Sequence, residues 1–387
     1  MRVGIFLCLI SLGLLSCNKS GGTPPALTPS NLVVNATVNP DKSGNVSFVS
    51  SATNAASYEY DFGNGIYETI PSGSVQHKYT TSGNYTVKVT AKSSSGASIS
   101  KSIDIAVTVA MALVWSDEFD TPGAPNSNKW GYDLGASGWG NNELQYYTDR
   151  RDNSYVTDGT LKILSDKKKR ISRAVSWKSD DEILSDGLPN LREYNYTSAN
   201  LWTKIPYGYG KFEARVKVPK GKGLWPAFWL YGGDVWNEID VFEFWNEHNI
   251  WGKFNTKKLS KLLHTNVWLD YNKDGKVKHC SKKFNGIDFS KDFHIYTLIW
   301  EKYTIEWYID GKLIRSVYKY YTPLGKPTGC NIYSGMDYIL NTIYPDQPMS
   351  IIFNTAIQTG KNSPDSSINF PCMMEVDWVR YYQKLDN

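Results

Sequence analysis

The run Trp236-Asn237-Glu238-Ile239-Asp240-Val241-Phe242-Glu243-Phe244-Trp245 limits the fold more than any other stretch of the chain. Three carboxylates fall within six residues, interleaved with Ile, Val and Phe. These apolar residues favour strands, and the first half alternates with a period of two. A strand here sends Glu238 and Asp240 to one face and Ile239 and Val241 to the other. Unbroken alternation would turn Glu243 into the core, where an unpaired charge is expensive. One extra residue around Val241-Phe242, a β-bulge, returns Glu243 to the face of Glu238 and Asp240. Phe244 then points inward and Trp245 stands beside Glu243.

Three neighbouring carboxyl groups cannot all ionise cheaply, so they share protons near neutral pH. Such a row suits glycoside hydrolysis with retention, which needs a nucleophile and an acid/base about 5–5.5 Å apart. Four strand steps span about 13 Å between Cα atoms, and two Glu side chains leaning together on a concave sheet close most of that gap. The plain alternative is the charged solvent face of an edge strand. Trp236 and Trp245 argue against it, because charges on an ordinary surface seldom sit in aromatic company.

Glu238-Ile239-Asp240-Val241-Phe242-Glu243 resembles the bulged E-x-D-x-x-E signature of family-16 glycoside hydrolases, the laminarinase-like group. Five further segments agree in the same order: Trp115 to Phe119, Gly138 to Thr148, Tyr209 to Arg215, Leu224 to Trp229 and Val376 to Arg380. The resemblance implies Glu238 as nucleophile, Asp240 as its helper and Glu243 as acid/base. It also implies a concanavalin-like β-jelly roll with a long concave cleft. Glu118, the backbone of Gly159 and Asp377 fall where relatives bind a structural calcium ion, whose preferred ligands are oxygen. No cofactor is needed for the chemistry. His264 matches a histidine on the family's next cleft strand, and His294 matches one whose role is structural.

The 387 residues suffice for two domains, and a hydrophobic share of 41% with 21% charged marks a globular chain. Aromatics reach 14%, with 14 Trp and 26 Tyr, an excess that suits either sugar stacking or Tyr-rich β-sandwich cores. The net charge of +4 is small, and Lys167-Lys168-Lys169-Arg170 is the one dense basic run, read as a solvated loop. Nucleic acid is therefore not an expected partner. A monomer is expected.

Arg2 followed by the apolar run Ile5 to Leu15 reads as a signal peptide over residues 1–16, too short to span a membrane. Leu14-Leu15-Ser16-Cys17 resembles a bacterial lipobox, with Cys17 as the lipidated first residue. Asn18 follows where an Asp would have suggested inner-membrane retention, so an outer-membrane lipoprotein is expected. Residues 17–27 form a Ser, Gly, Thr and Pro-rich tether. An oxidising compartment allows one disulfide among Cys280, Cys330 and Cys372, with three pairings open.

Residues 28–109 read as short strands with turn signals. Tyr58 to Gly65, His77-Lys78-Tyr79 and Gly83-Asn84-Tyr85 resemble a PKD domain, an immunoglobulin-like sandwich, with His77 a structural hydrogen-bonder and the domain a spacer. Residues 110–387 follow as the second domain. Strand patterns recur at Ser198 to Trp202, Gly210 to Val218, Trp225 to Tyr231, Ile295 to Trp300, Thr304 to Ile309 and Met349 to Asn354. Asp310-Gly311 signals a hairpin. Many strands without crossover helices predict an all-β chain whose second domain is a two-sheet antiparallel sandwich.

Trp139, Trp225, Trp229, Trp236 and Trp245 are candidates to stack sugar rings, and core packing would account for any one of them equally well. Asn141 and Glu143 lie in a Gly-flanked loop where polar side chains can reach hydroxyls. Three departures from the family pattern bear on substrate. Asn237 replaces a Gly before the nucleophile, Asn200 replaces an Arg, and no Trp follows the run from Asn354 to Gly360. Laminarin or mixed-linkage β-glucan is the leading substrate, and galactose-containing chains such as poly-lactosamine are the rival. A silent glycan-binding protein on the same fold and a structural adhesin are the other classes. A complete carboxylate triad has no use in a lectin.

Overall fold

The computed structural model describes residues 27–79, 82–185, 187–245, 260–321 and 339–384. The expected signal peptide, Cys17 and Cys330 lie outside the described residues. Apart from one short 3-10 turn at Gly360–Asn362, every regular element described is a strand.

The N-terminal part is a sandwich of two antiparallel sheets. One joins Ser30–Val38, Asn45–Thr53 and Ser74–Lys78; the other joins Tyr67–Ile70, Ser57–Asp61, Gly83–Lys92 and Ser98–Val107. Alternation drives it: Val87, Val89 and Ala91 turn inward on one long strand and meet Val46 and Phe48 from the facing sheet. Burial leaves the polar groups of this core needing partners. Tyr60 donates to the Gly73 carbonyl at 2.5 Å, and His77 lies flat on Phe62, with ring centres 3.8 Å apart, and meets Asn64 Nδ2 at 3.0 Å. His77 is thus the structural hydrogen-bonder expected from the sequence.

The chain passes into the second sandwich almost without a linker. Val109 N donates to Ser82 Oγ at 2.8 Å and Ala110 N to the Lys42 carbonyl at 2.9 Å, and the next strand, Met111–Asp117, begins at once. Gly65 lies so close to the Tyr318 ring that a Cβ there would come within 2.7 Å of it.

The second sandwich has two large antiparallel sheets. The outer sheet runs Ser154–Thr157, Thr160–Ser165, Cys372–Lys384, Gly210–Lys217, His294–Trp300, Thr304–Ile309 and Lys312–Tyr318, with Met111–Asp117 also on Cys372–Lys384. The inner sheet runs Lys278–Asn285, Leu262–Leu269, Asn237–Glu243, Leu224–Tyr231, Ser350–Ile357, Asn200–Thr203 and Trp130–Tyr132. Between them lies one core that includes Phe212, Phe228, Ile239, Phe242, Phe244, Trp300, Trp307 and Phe353. Phe228 stacks on Phe353 at 4.7 Å, and removing either ring would cost about 3–5 kcal/mol through the cavity left behind. The expected hairpin is present: Asp310 and Gly311 both take positive φ, 48° and 76°, as the tight two-residue turn requires.

Two features were not foreseen. The basic run Lys167 to Arg170 enters a hairpin, Arg170–Arg173 paired with Leu191–Tyr194, which forms its own small cluster with Ala136, Ala174 and Tyr146. Cys280 is disulfide-bonded and Cys372 is a free thiol, which removes Cys372 from the open pairings.

Candidate active site

The carboxylate strand carries the expected bulge. On one side Phe242 faces Phe228 and Asp240 faces Trp229, so Val241 is the extra residue; on the other, Asp240 faces Asn266 and Glu243 faces His264. Ile239, Val241, Phe242 and Phe244 are in the core, and Glu238, Asp240 and Glu243 share the opposite, concave face. A bulge frees backbone groups that must find partners elsewhere. Here Trp307 of the outer sheet reaches across the core and donates its indole N–H to the Asp240 carbonyl at 2.9 Å. Arg315, buried above Trp307, donates to the Thr265 carbonyl at 2.6 Å and to that of Cys280 at 2.9 Å, which fixes the neighbouring strands beneath the site.

Each Glu of the row is held by an indole. Trp236 Nε1 donates to Glu238 Oε2 at 3.0 Å, and Trp225 Nε1 donates to Glu243 Oε1 at 2.8 Å. Asn266 Nδ2 donates to the other oxygen, Glu243 Oε2. Asp240 is buried, 2% exposed, with Asn266, Trp268 and Glu243 as its polar neighbours. Burial pushes the Asp240 carboxyl up to about 7, with those neighbours opposing the rise. Glu243 is driven well above the carboxylate range by burial first, then by the charges of Asp240 and Glu238. Glu238 is also raised, by burial and by Asp240, with the Trp236 N–H working the other way. The row therefore favours keeping protons near neutral pH, with Glu243 and Asp240 acting on each other's titration.

The remaining expected residues surround this row. Trp245 stacks on His264 at 4.4 Å and lies 6.1 Å from Trp225. Trp229 Nε1 donates to Asn354 Oδ1 at 2.9 Å, and Asn354 Nδ2 donates to Tyr147 at 2.8 Å, whose ring meets Trp139 at 5.4 Å. Asn141 and Gln145 donate to the two oxygens of Glu143 at 3.1 and 2.6 Å. Burial raises Glu143 to about 7 against those bonds. Asn237, in place of the family's Gly, is fully buried and donates to the Gln347 carbonyl at 3.1 Å. His294 meets Asp310 Oδ2 at 2.8 Å, away from the row.

Sequence reasoning missed Asn266 and Trp268, both partners of Asp240, and Tyr231, opposite Glu238. The signal was present: His264, Asn266 and Trp268 alternate along one strand, so a histidine on the cleft face puts the other two there.

Glu118 and Asp377, the carboxylates expected to bind calcium, each face an arginine. Arg380 grips Glu118 through two bonds of 3.0 and 2.7 Å, and Arg215 pairs with Asp377 at 2.5 Å. A cation there would have to displace guanidinium groups that already compensate both charges. Gly159, at φ 70°, serves the turn between two outer-sheet strands. Among the described residues no group of three or more His, Cys, Asp and Glu could hold a metal ion.

The family model for glycosyl hydrolases family 16 matches residues 141–380, a span that contains the whole row. The chain belongs to this family. A PKD-domain model matches residues 27–109. The β-glucanase of Rhodothermus marinus is 33% identical over 289 residues, covering 70% of this chain and 85% of that one. Among solved structures, the endo-β-1,3-glucanase of Pyrococcus furiosus aligns with a TM-score of 0.53 at 30% identity, over 72% of this chain and 96% of the other. A structure described with endo-acting O-glycanases of the human gut microbiota that initiate mucin breakdown aligns at 0.56 and 26% identity, over 70% and 91%. Both expected folds are thereby established, and this family-16 chain is an O-glycosyl hydrolase.

Proposed function

We propose that the protein is a retaining endo-β-glycanase that cuts internal bonds of a β-glucan, with Glu238 as nucleophile, Glu243 as acid/base and Asp240 as the group between them. One observation carries the reading: the bulge at Val241 lines up three carboxyls whose two outer members are each held by an indole N–H. In the first half, the Glu238 carboxylate attacks the anomeric carbon and the bond to the leaving oxygen breaks as Glu243 protonates it. In the second, Glu243 takes a proton from water, the water attacks the same carbon, and Glu238 is released. Asp240 orients Glu238 and shares the proton of Glu243. The names of the glucanase relatives support a β-1,3 or β-1,4 glucan, and Trp225, Trp229, Trp236 and Trp245 supply flat apolar faces on this side of the sheet.

A second reading, a galactose-containing glycan, is favoured by Asn200 in place of the family's Arg and by the O-glycanase likeness. Digestion of laminarin, mixed-linkage glucan, agarose-type galactans and mucin glycans, with the anomer of the first product read by NMR, tests both parts. Retained anomer from a glucan supports the proposal; an inverted product excludes Glu238 as nucleophile; cleavage of galactans or mucin glycans alone selects the second reading.

We further propose that Cys17 carries a lipid anchor on the outer membrane and that residues 28–109 act as a spacer. Cys17→Ala is expected to release the protein from the membrane fraction, and unchanged detergent partitioning would defeat the anchor.

A further inference from the structure

The segment between the strands Thr160–Ser165 and Tyr196–Ser198 belongs to neither large sheet. Its hairpin is tied to the segment that carries Trp139 and Glu143. Ala136 N donates to the Ala174 carbonyl at 3.1 Å, and Ser172 Oγ donates to the Tyr146 hydroxyl at 3.1 Å. Gly135, at φ 113°, approaches so closely that a Cβ there would lie 2.3 Å from the Ala174 oxygen. Trp139 follows three residues after Ala136, and Glu143 four residues later again.

On the other strand of this junction, three residues after Ala174, stands Trp177. It is 85% exposed, more than any other large hydrophobic side chain among the described residues. A single exposed apolar side chain is ordinary. What sets this one apart is that its loop is locked on both sides. Asn190, fully buried, accepts from Val175 N at 2.8 Å and donates to the carbonyls of Val175, Lys178 and Ser179 at 3.0 Å each. Val175, two residues before the Trp, packs into the small cluster with Ala174 and Tyr194. The backbone on both sides of Trp177 is thereby held in place, and its side chain is left outward.

Several of the charges on this hairpin are paired. Lys168 pairs with Asp152 at 2.8 Å, Lys169 with Glu193 at 2.9 Å, Arg173 with Asp180 at 2.5 Å and Lys178 with Glu182 at 2.5 Å. An exposed indole face on a hairpin of this kind suits a sugar ring, and the glycanase reading supplies the chain that would bring one.

We propose that Trp177 is an outer stacking platform for a β-glycan chain where it passes the segment that carries Trp139 and Glu143. This rests on the glycanase reading and adds a site outside the cleft. Three residues of chain on each side of one hydrogen bond keep Trp177 and Trp139 less than about 30 Å apart. A polysaccharide reaches across any distance up to that limit, whereas a short oligosaccharide seated in the cleft has less chain left to reach Trp177.

The test compares Trp177→Ala and Trp177→Phe with the wild type on laminarin and on laminaritetraose. The ratio of kcat/KM for polymer to that for tetrasaccharide is expected to fall about three- to tenfold in Trp177→Ala, through KM, with Trp177→Phe between. In parallel, gel retardation by laminarin, with Glu238→Gln as background, is expected to weaken when Trp177 is removed. An unchanged ratio and unchanged retardation overturn the platform. Loss of binding to anionic lipid vesicles in Trp177→Ala, with retardation intact, overturns it in favour of a membrane contact. A wild type that cleaves neither substrate defeats the glucanase reading instead, and retardation then decides the platform alone.

Discussion

The two sandwiches bury polar groups in opposite ways. In the N-terminal one, each buried group has a partner of matching kind: Tyr60 with Gly73, Tyr79 with the Phe62 carbonyl, His77 with Asn64. In the second, three groups of the same charge type share one floor, and the charges of Asp240 and Glu238 push Glu243 further up. A fold built for stability alone would avoid the second arrangement, because like charges at close range in a dry site raise one another's pKa. The difference fits the proposed pairing of a spacer core with a reacting one, although both are antiparallel β-sandwiches. His77 in the first domain is therefore structural, and under the proposed mechanism the carboxylate row of the second is chemistry.

The sharpest way to break this contrast is Glu238→Gln, which removes the proposed nucleophile without changing shape. Turnover is expected to fall by about 10⁴-fold or more on every substrate, while the melting temperature holds or rises as one charge leaves the row. Steady-state rates and calorimetry on the same sample decide it, and substantial residual activity would make the row a structural feature like the Tyr60 network.

Glu243→Ala comes next. A loss of about 10²–10⁴-fold is expected on natural glycans, whose leaving group needs a proton. Aryl glycosides with an acidic leaving group should keep their first step and accumulate a covalent intermediate visible by mass spectrometry. Equal losses on both substrate types would refute the acid role.

Asn266→Ala sharpens the picture of how the proton is placed. Asn266 donates to Glu243 and also opposes the rise of Asp240, and donation to an ionised carboxylate favours it. Without it both groups should ionise at higher pH. Since Glu243 must be protonated for the first step, the alkaline limb of the kcat/KM profile is expected to move up, with kcat down about tenfold from lost orientation. An unmoved limb would show that Asn266 only packs.

The smallest effect lies in the other sandwich. Burial lowers His77 to about 4, below its ordinary value near 6.5. The unfolded chain therefore takes up a proton first as pH falls, so the stability held by neutral His77 is complete above about 6.5. It is lost progressively from there down to about 4 and changes little below. The first domain should melt lower at pH 4.5 than at pH 7, and His77→Gln should flatten that dependence. Thermal melts of the two variants across that range check it; parallel curves would mean that other groups carry the acid sensitivity.

Much of this was legible in the sequence, because it depends on local period. The pleat alternates every two residues, so Glu238, Asp240 and Glu243 can share a face only with one residue added between Asp240 and Glu243. Val241 is that residue. The turn at Asp310-Gly311 and the two sandwich folds followed from equally local signals. Pairing between distant strands is not local, and there the tertiary structure decided. It brought Asn266 and Trp268 against Asp240, sent Trp307 across the core to its carbonyl, and gave Glu118 and Asp377 to arginines. It also folded residues after Lys169 into a hairpin against the segment that carries Trp139 and Glu143, with Trp177 outward. Which side chains meet across a sheet depends on strand order and register, and these are fixed only when two apolar faces, hundreds of residues apart in the chain, close on one core.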